Sequence, residues 1–353
     1  MGGSGASAAA LTMSSPYLVA PEKLASLFPA EPAFRARQLA EWLYRHPVMT
    51  VGEMTNLSLR QRAELEPLWP FVVEVEQEGD SGVTRKWLLR APDGASIEAV
   101  AMGYATRTTL CISSQAGCAM ACTFCATGQF GFERHLAAGE IAAQVAFAEA
   151  SLKAKPLPGS PQHVSNIVFM GMGEPLANYD NVRESLRRLI EVMGRSARSI
   201  TVSTVGVVPG IRRLATEPWP VNLAISLHAA DDELRSTLVP LNARYPLETV
   251  IAAGIEFFEA KGRRVSIEWT LLRGVNDSPE QAVKLAAIAR RMRAHVNVIA
   301  LNPTPLTEHS APTPEALARF VDAASANGAN VTVRDTRGRD IDAACGQLRA
   351  RSL

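Results

Sequence analysis

The sequence has few cysteines, almost no net charge and no long apolar run, and each shortage excludes a class of protein. Cysteine accounts for only five of the 353 residues. An odd number in so long a chain argues against a disulfide framework and favours metal or redox chemistry in a reducing compartment. Because no stretch of about eighteen apolar residues occurs, and no Lys or Arg precedes the first short apolar segment, neither a membrane span nor a secretory signal is predicted. We therefore expect a cytoplasmic protein.

The balance of charge limits how this protein can bind a polyanion. Lys and Arg number 36 against 35 Asp and Glu, which gives a formal net charge of +1, while 47% of the residues are hydrophobic. The chain can bury a large core, but it has no overall positive field to attract nucleic acid. Any contact with nucleic acid must therefore use local basic patches.

The first hundred residues divide into three segments that differ in composition and in the spacing of their apolar residues. Residues 1–18 are mainly Gly, Ser and Ala, which predicts a disordered tail, with Met13 as a second candidate start. Apolar residues at helical spacing, among them Phe34 and Leu39, predict a small helical domain over residues 19–75. The β-like runs TRKWLLRA and ASIEAVAM, joined by a Pro-Asp-Gly turn, predict a hairpin in a linker over residues 76–103.

From residue 104 to residue 353, β-rich apolar runs alternate with helical patterns. The six runs are TLCISS, SNIVFMG, SITVST, VNLAISL, VSIEWTLL and VNVIALN. This alternation predicts an α/β core with parallel strands, arranged either as a barrel or as an open sheet. Polar residues recur at the carboxyl ends of the strands, where βα barrels carry their chemistry.

The most specific motif is CAMACTFCATG, which follows the first core strand. It holds Cys118, Cys122 and Cys125 in C-x3-C-x2-C spacing. Three thiolates from one loop can hold three irons of a cubane and leave the remaining iron open, and an open position is typical of a catalytic metal site. The alternative is a structural zinc site, which needs a fourth ligand. His135 is the candidate, although a lone histidine ten residues downstream is more readily a capping or surface residue.

Longer stretches of sequence resemble one family. C-x3-C-x2-C and the glycine-rich GMGEP segment resemble the radical-SAM superfamily. The segments CISSQAGCAMACTFCATG, MGMGEPL, AISLHA and DIDAACGQL, in that order, resemble the RlmN/Cfr family of radical-SAM RNA adenine methyltransferases, and its RlmN branch most. The resemblance runs from FRARQLAEWLY near Phe34 to the carboxyl-terminal region. It implies a partial (β/α)6 barrel of the TIM type with a small amino-terminal helical domain, a 4Fe-4S cluster on the three cysteines, and S-adenosylmethionine (SAM) as co-substrate.

The resemblance also implies a reaction and roles for three residues. Carbon 2 of adenine is electron-poor and cannot attack SAM as a nucleophile, so a radical route is required. Cys345 matches the cysteine that carries the methyl group, and Cys111 matches the thiol that releases the product through a transient Cys111–Cys345 disulfide. Glu98 matches the general base that removes the carbon-2 proton.

The remaining expectations concern ligands and partners. The residues that match the SAM pocket are Gly173, Glu174, Ser203, Ser226, Leu227, His228 and Asn302. The implied substrates are 23S rRNA and tRNA, with an electron donor such as flavodoxin, and we expect a monomer. Basic stretches at Arg183–Arg213, with seven arginines against two acids, and in VRDTRGRD are candidates for RNA contact. Two alternatives stay open: methylation of carbon 8, as in Cfr, and a zinc-stabilised RNA-binding protein without catalysis.

One segment departs from the family pattern. The stretch MGYATR before Cys111 lacks the acidic and proline residues common there in the family. We expect this difference to affect the loop near Glu98 and to leave the cluster ligands unaffected.

Overall fold

The fold is taken from a computed structural model, which describes residues 15–304 and 307–348. Most of the predicted tail, residues 1–14, lies outside this part of the chain. Residues 15–17 of the segment assigned to the tail are buried: Ser15 donates its hydroxyl to the Leu68 carbonyl at 2.6 Å, and the Tyr17 side chain is 1% exposed. The ordered chain therefore extends at least to Ser15, because an aromatic side chain there has a partner to pack against.

Ten α-helices lie in the described part of the chain. They are α1 Phe34–Ala40, α2 Leu59–Ala63, α3 Ala126–Gln129, α4 Ala138–Ala154, α5 Tyr179–Arg187, α6 Val208–Thr216, α7 Asp232–Leu238, α8 Leu247–Lys261, α9 Pro279–Met292 and α10 Pro314–Ala326. Caps fix several of their ends: Ser278 and Thr313 accept hydrogen bonds at the starts of α9 and α10, each followed by proline. None of these helices is both long and apolar enough to cross a membrane.

Within residues 15–304 and 307–348, twelve strands form a large sheet and a small one. They are β1 Val72–Gly79, β2 Thr84–Arg90, β3 Ser96–Tyr104, β4 Arg107–Cys111, β5 Gln115–Gly117, β6 Phe132–His135, β7 Asn166–Phe169, β8 Ile200–Thr204, β9 Asn222–Ser226, β10 Ser266–Leu271, β11 His295–Ala300 and β12 Asn330–Val333. The large sheet has the order β1-β2-β3-β4-β7-β8-β9-β10-β11-β12, and β5 pairs with β6. Strands β1 to β4 pair antiparallel, and from β4 to β12 every pairing is parallel.

The α/β prediction is confirmed, and all six predicted core strands are present as β4 and β7 to β11. The sheet ends at β1 and β12 without closing, which makes the barrel partial. Strand β12 was not predicted, because its short run NVTV is largely exposed and has no apolar signature. The predicted hairpin is β2 and β3, but it belongs to the same continuous sheet as the core, and β1 begins at Val72, inside the range assigned to the helical domain.

Aromatic side chains join the amino-terminal helical region to the core. Tyr17 stacks on Trp69 with ring centroids 5.1 Å apart, and Trp69 meets Phe147 of α4 edge to face at 5.4 Å. On the other side, Trp87 of β2 meets the same Phe147 at 5.5 Å. Such pairs add to the burial of large apolar surfaces. The helical region therefore packs on the outer helix layer and leaves the opposite face of β2, β3 and β4 free for polar residues.

Candidate active site

The three cysteines of the motif lie in the loop between β5 and α3, which hydrogen bonds hold closed. The Cys118 amide donates to the Gly131 carbonyl at 2.7 Å, and the Gly128 amide donates to the Cys125 carbonyl at 3.1 Å. Gly117, just before the loop, has φ +71°, and a Cβ there would come within 2.1 Å of the Gly131 carbonyl oxygen. Only glycine permits this close approach, so the backbone itself determines where the loop begins.

Cys118, Cys122 and Cys125 all line one cavity of about 920 Å³. Burial raises the pKa of each thiol, for Cys118 to about 12, so without iron they stay protonated. Metal coordination deprotonates such thiols outright. In the described residues, no group of three or more His, Cys, Asp or Glu converges on a point suited to one metal ion.

A buried cation lies next to this loop. The Arg235 side chain is 0% exposed, and its guanidinium donates to neutral acceptors: the Leu227 and Val205 carbonyls and the Asn242 side-chain oxygen. Burial lowers the pKa of Arg235 to about 10, while its proximity to Cys122 acts in the opposite direction. Asp232 contributes negative charge near Arg235, and an anionic iron–sulfur cluster on the thiolates would add more beside this buried cation. The donor set thus fits the cluster that the sequence implies.

The far wall of the cavity lined by the three cysteines is formed by the ends of β7, β8 and β9. Gly173 has φ +100°, and a Cβ there would meet Gln115 at 2.5 Å. The Glu174 carboxylate accepts hydrogen bonds from the Leu176 amide at 3.0 Å and the Val205 amide at 2.8 Å, which ties the end of β7 to that of β8. Burial raises the pKa of Glu174 to about 7. The glycine permits the close approach to Gln115, and the carboxylate rigidifies the cavity wall.

His228 presents a neutral ring to the same cavity. Its backbone has φ +62°, and its Nδ1 accepts a hydrogen bond from the Thr270 amide at 2.9 Å. Burial, with a contribution from Arg235, lowers the pKa of His228 to about 3. The ring proton is therefore on Nε2, and the ring also packs edge-on against Phe124 at 4.5 Å. His228 can thus serve as a hydrogen-bond donor for a bound ligand.

The structure brings most of the predicted SAM-pocket residues together but separates two of them. Gly173, Glu174, Ser203, Ser226 and His228 line the larger cavity. Leu227 is fully buried behind that wall. Asn302 lines a second, smaller cavity of about 440 Å³, and its side-chain amide donates to the Cys345 carbonyl at 3.1 Å.

Cys345 lies at the junction of the two cavities. Cys345, Arg334, Met170 and Ile299 line both cavities, and Cys111 lines the smaller one. Cys111 and Cys345 are both free thiols. Burial raises the pKa of Cys111 to about 12, and the guanidinium of Arg334 partly opposes that shift. The structure therefore brings together the two thiols that are 234 positions apart in the chain.

The loop that carries Cys345 is bonded to the cluster loop. The Ala126 amide donates to the Gly346 carbonyl at 2.8 Å, and the Thr127 hydroxyl donates to the Leu348 carbonyl at 2.6 Å. Asn302 holds the same loop from the other side. The position of Cys345 is thus fixed by contacts with residues directly after Cys125.

Glu98 lies on the same sheet face as Cys111, outside the lining of both cavities. Cys111 pairs with Val100 of β3, and Val100 pairs with Lys86 of β2, so the side chains of Lys86, Glu98 and Cys111 project from one face. Lys86 Nζ is 3.0 Å from Glu98 Oε1, and both side chains are buried. Lys86 also donates to the Asp342 carbonyl at 3.4 Å, which connects the pair to the loop of Cys345.

We expect a Lys86→Met substitution to lower the free energy of unfolding by about 3 kcal/mol, because it leaves a buried carboxylate without its cation. Urea denaturation followed by circular dichroism measures this loss. Lys23→Met, at an exposed position, is the matched control and should change stability by less than about 0.5 kcal/mol. Equal stability of the two variants would contradict the assignment of a buried ion pair.

Sequence reasoning missed three residues of the site and assigned another to a different place. Lys86, Arg235 and Glu268 were not considered. Glu268 is 4% exposed, lines the larger cavity and lies 3.6 Å from Arg334. An acid inside the apolar run VSIEWTLL was the available signal. Arg334 was grouped with possible RNA-binding arginines, whereas it borders both cavities.

Two family models and several known proteins match this chain. Residues 112–286 match the model of the radical SAM superfamily, and residues 22–69 match the ribosomal RNA large subunit methyltransferase N-terminal domain. A probable dual-specificity RNA methyltransferase RlmN of Parafrankia sp. is 51% identical over 333 residues, covering 90% of this chain and 86% of the relative. A protein of the same description from Chloroflexus aurantiacus is 49% identical over 332 residues, covering 91% and 88%.

A solved structure extends the likeness to the whole fold. The crystal structure of a radical SAM methyltransferase from Sphaerobacter thermophilus matches with a TM-score of 0.90 and 46% identity, covering 96% of this chain and 100% of the other. As radical-SAM proteins use a 4Fe-4S cluster and SAM, these are the cofactors of this protein. This excludes the zinc-stabilised alternative, and the chain belongs to the RlmN family of radical-SAM methyltransferases.

Proposed function

We propose that this protein methylates carbon 2 of an adenosine in 23S rRNA and in tRNA, in the cytoplasm, with Cys345 as the methyl carrier. The position of Cys345 on the wall shared by two cavities carries the proposal. One cavity is lined by the cluster cysteines and by residues that match the SAM pocket, and the other contains the second thiol. The Cys345 sulfur lies between the two cavities, so it can take a methyl group from SAM in the larger one and deliver it to a base in the smaller one.

When bound, one SAM molecule would supply the methyl group, which replaces the proton of the Cys345 thiol, and a second SAM at the cluster would supply the radical that removes a hydrogen atom from that methyl group. The Cys345 sulfur then holds a methylene carbon that adds to the electron-poor ring carbon. The ring becomes aromatic again when the proton on that carbon leaves and one electron passes from the adduct to an acceptor, a role that the oxidised cluster would fill. Glu98 is our candidate for the proton acceptor, because it lies on the sheet face of Cys111 and its pair with Lys86 keeps it near the loop of Cys345.

Release of the product requires a second sulfur. The Cys111 thiolate attacks the Cys345 sulfur, a disulfide forms, and the bond from Cys345 to the methylene carbon breaks with its electron pair on carbon. That carbon takes a proton and becomes the methyl group. Arg334 borders the smaller cavity, and its guanidinium favours the thiolate form of Cys111. A reductant must then supply two electrons to reopen the disulfide, and a flavodoxin-type donor fits the need of the cluster for single electrons.

Mass spectrometry of nucleosides from deuterated RNA tests the function. Substrate 23S rRNA fragments and tRNA are prepared with deuterium at carbon 8 of adenosine, and the reaction is run with SAM and a reductant. Methylation at carbon 2 is expected to yield methyladenosine that keeps the deuterium. Loss of the deuterium would show the alternative carbon-8 reaction, and unmodified RNA would overturn the proposal altogether.

A further inference from the structure

The tip of the hairpin between β3 and β4 carries an aromatic ring flanked by two guanidinium groups. Tyr104 ends β3 and pairs with Arg107, the first residue of β4. The guanidinium carbon of Arg107 lies 4.1 Å from the centroid of the Tyr104 ring, and that of Arg337 lies 5.1 Å from it. These contacts are cation–π interactions. We call Tyr104, Arg107 and Arg337 the rim cluster.

The rim cluster borders the smaller cavity. Arg337 lines that cavity together with Cys111 and Cys345, and Met102, two residues before Tyr104 on β3, lines it as well. Tyr104 also interacts electrostatically with Arg334, which lines both cavities. A molecule that enters the smaller cavity from this side therefore passes the rim cluster.

The charge of the rim cluster is only partly neutralised. Arg107 is exposed and makes no ion pair with any described residue, and Arg337 contacts Asp335 at 3.1 Å. The basic stretch Arg183–Arg213 is different, since six of its seven arginines form ion pairs with Asp or Glu. The positive charge of that stretch is therefore largely neutralised by neighbouring carboxylates. Few of its arginines are left to bind the phosphates of RNA, which is the role that we expected from the sequence.

We propose that the rim cluster binds a nucleotide adjacent to the adenosine that enters the smaller cavity. Unpaired RNA offers a planar base and a phosphate on each nucleotide, and arginine planes stack on splayed bases while their N–H groups pair with phosphate oxygens. Arg107, held against Tyr104 and free of a carboxylate, suits the phosphate. The Arg337 plane, held against the Tyr104 ring, supplies the stacking surface. This inference rests on the proposed function, because it needs an RNA substrate.

RNA binding by two variants tests the inference. The probe is the fluorescently labelled RNA fragment that serves as methylation substrate, and anisotropy gives its Kd over a range of salt concentrations. Arg107→Ala is expected to raise Kd about tenfold and to reduce the slope of log Kd against log salt by about 0.7, the value for one lost phosphate contact with a single strand. Tyr104→Ala is expected to raise Kd by a similar factor without a comparable change of slope, since stacking is not electrostatic.

Arg319→Ala is the matched control, because Arg319 is an exposed arginine on α10, outside both cavities. It should leave Kd and the salt slope unchanged. If wild-type protein methylates the RNA but Arg107→Ala and Tyr104→Ala bind it like the control, the rim cluster has no part in recognition and the proposed function stands. If wild-type protein does not methylate RNA, the proposed function and this inference both fail.

Discussion

A Cys345→Ala variant should produce no methylated RNA while keeping its iron–sulfur cluster. Without the sulfur there is no carrier for the methyl group, and an electron-poor ring carbon cannot take it from SAM directly. Cys118, Cys122 and Cys125 are untouched, so iron binding should persist. Nucleoside mass spectrometry measures the activity, while iron and sulfide content and the visible absorption spectrum measure the cluster.

The same variant tests whether Cys345 is itself an iron ligand, because it lines the larger cavity with Cys125. Four irons and unchanged SAM binding in Cys345→Ala would support an open iron. Loss of one iron would mean that Cys345 coordinates the cluster, and the carrier role would then be wrong. Cys118→Ala is the positive control for loss of the cluster.

A Cys111→Ala variant should stop after one partial turnover with RNA bonded to the protein. The adduct on Cys345 forms without Cys111, but no second thiol is present to attack the sulfur and release the product. A denaturing gel should show protein and RNA migrating together. After nuclease digestion, mass spectrometry should find one nucleotide, joined through a methylene carbon, on the peptide that contains Cys345.

The control for this adduct is the double variant Cys111→Ala/Cys345→Ala, which has no carrier and should form none. Multiple turnovers by Cys111→Ala would refute the two-thiol scheme. An adduct on any residue other than Cys345 would refute the assignment of Cys345 as the methyl carrier.

Strands and helices with strong periodicity could be predicted from the sequence, whereas elements without an apolar signature could not. The six core strands are rich in apolar and β-branched residues that are buried or half-buried, apart from the exposed Arg107 at the start of β4. Strand β12 is short and exposed, so its only signal is the backbone pairing with β11. Residues 15–18 were assigned to a tail because Gly, Ser and Ala dominate around them, yet Tyr17 alone has enough apolar surface to anchor the segment.

For the site, motifs identified residues but not their partners. The three cluster cysteines are adjacent in the sequence, so their spacing was sufficient. The pair Lys86–Glu98 depends on the register of β2 against β3, and the contact of Arg334 with both cavities depends on where β12 joins the sheet. Neither register nor strand order can be read from composition. Asn302 shows the same limit, because a residue at a strand end can face either of two cavities.

The hydrogen bonds from Ala126 and Thr127 to the last described residues have a consequence for enzyme that has been exposed to oxygen. Air destroys clusters of this kind, and a cluster loop without its metal loses the restraint that shapes it. Ala126 and Thr127, directly after that loop, anchor the segment that carries Cys345. Loss of the cluster should therefore also disturb the position of the Cys345 sulfur. An aerobically damaged molecule would then be unable to trap a transcript in a dead-end adduct.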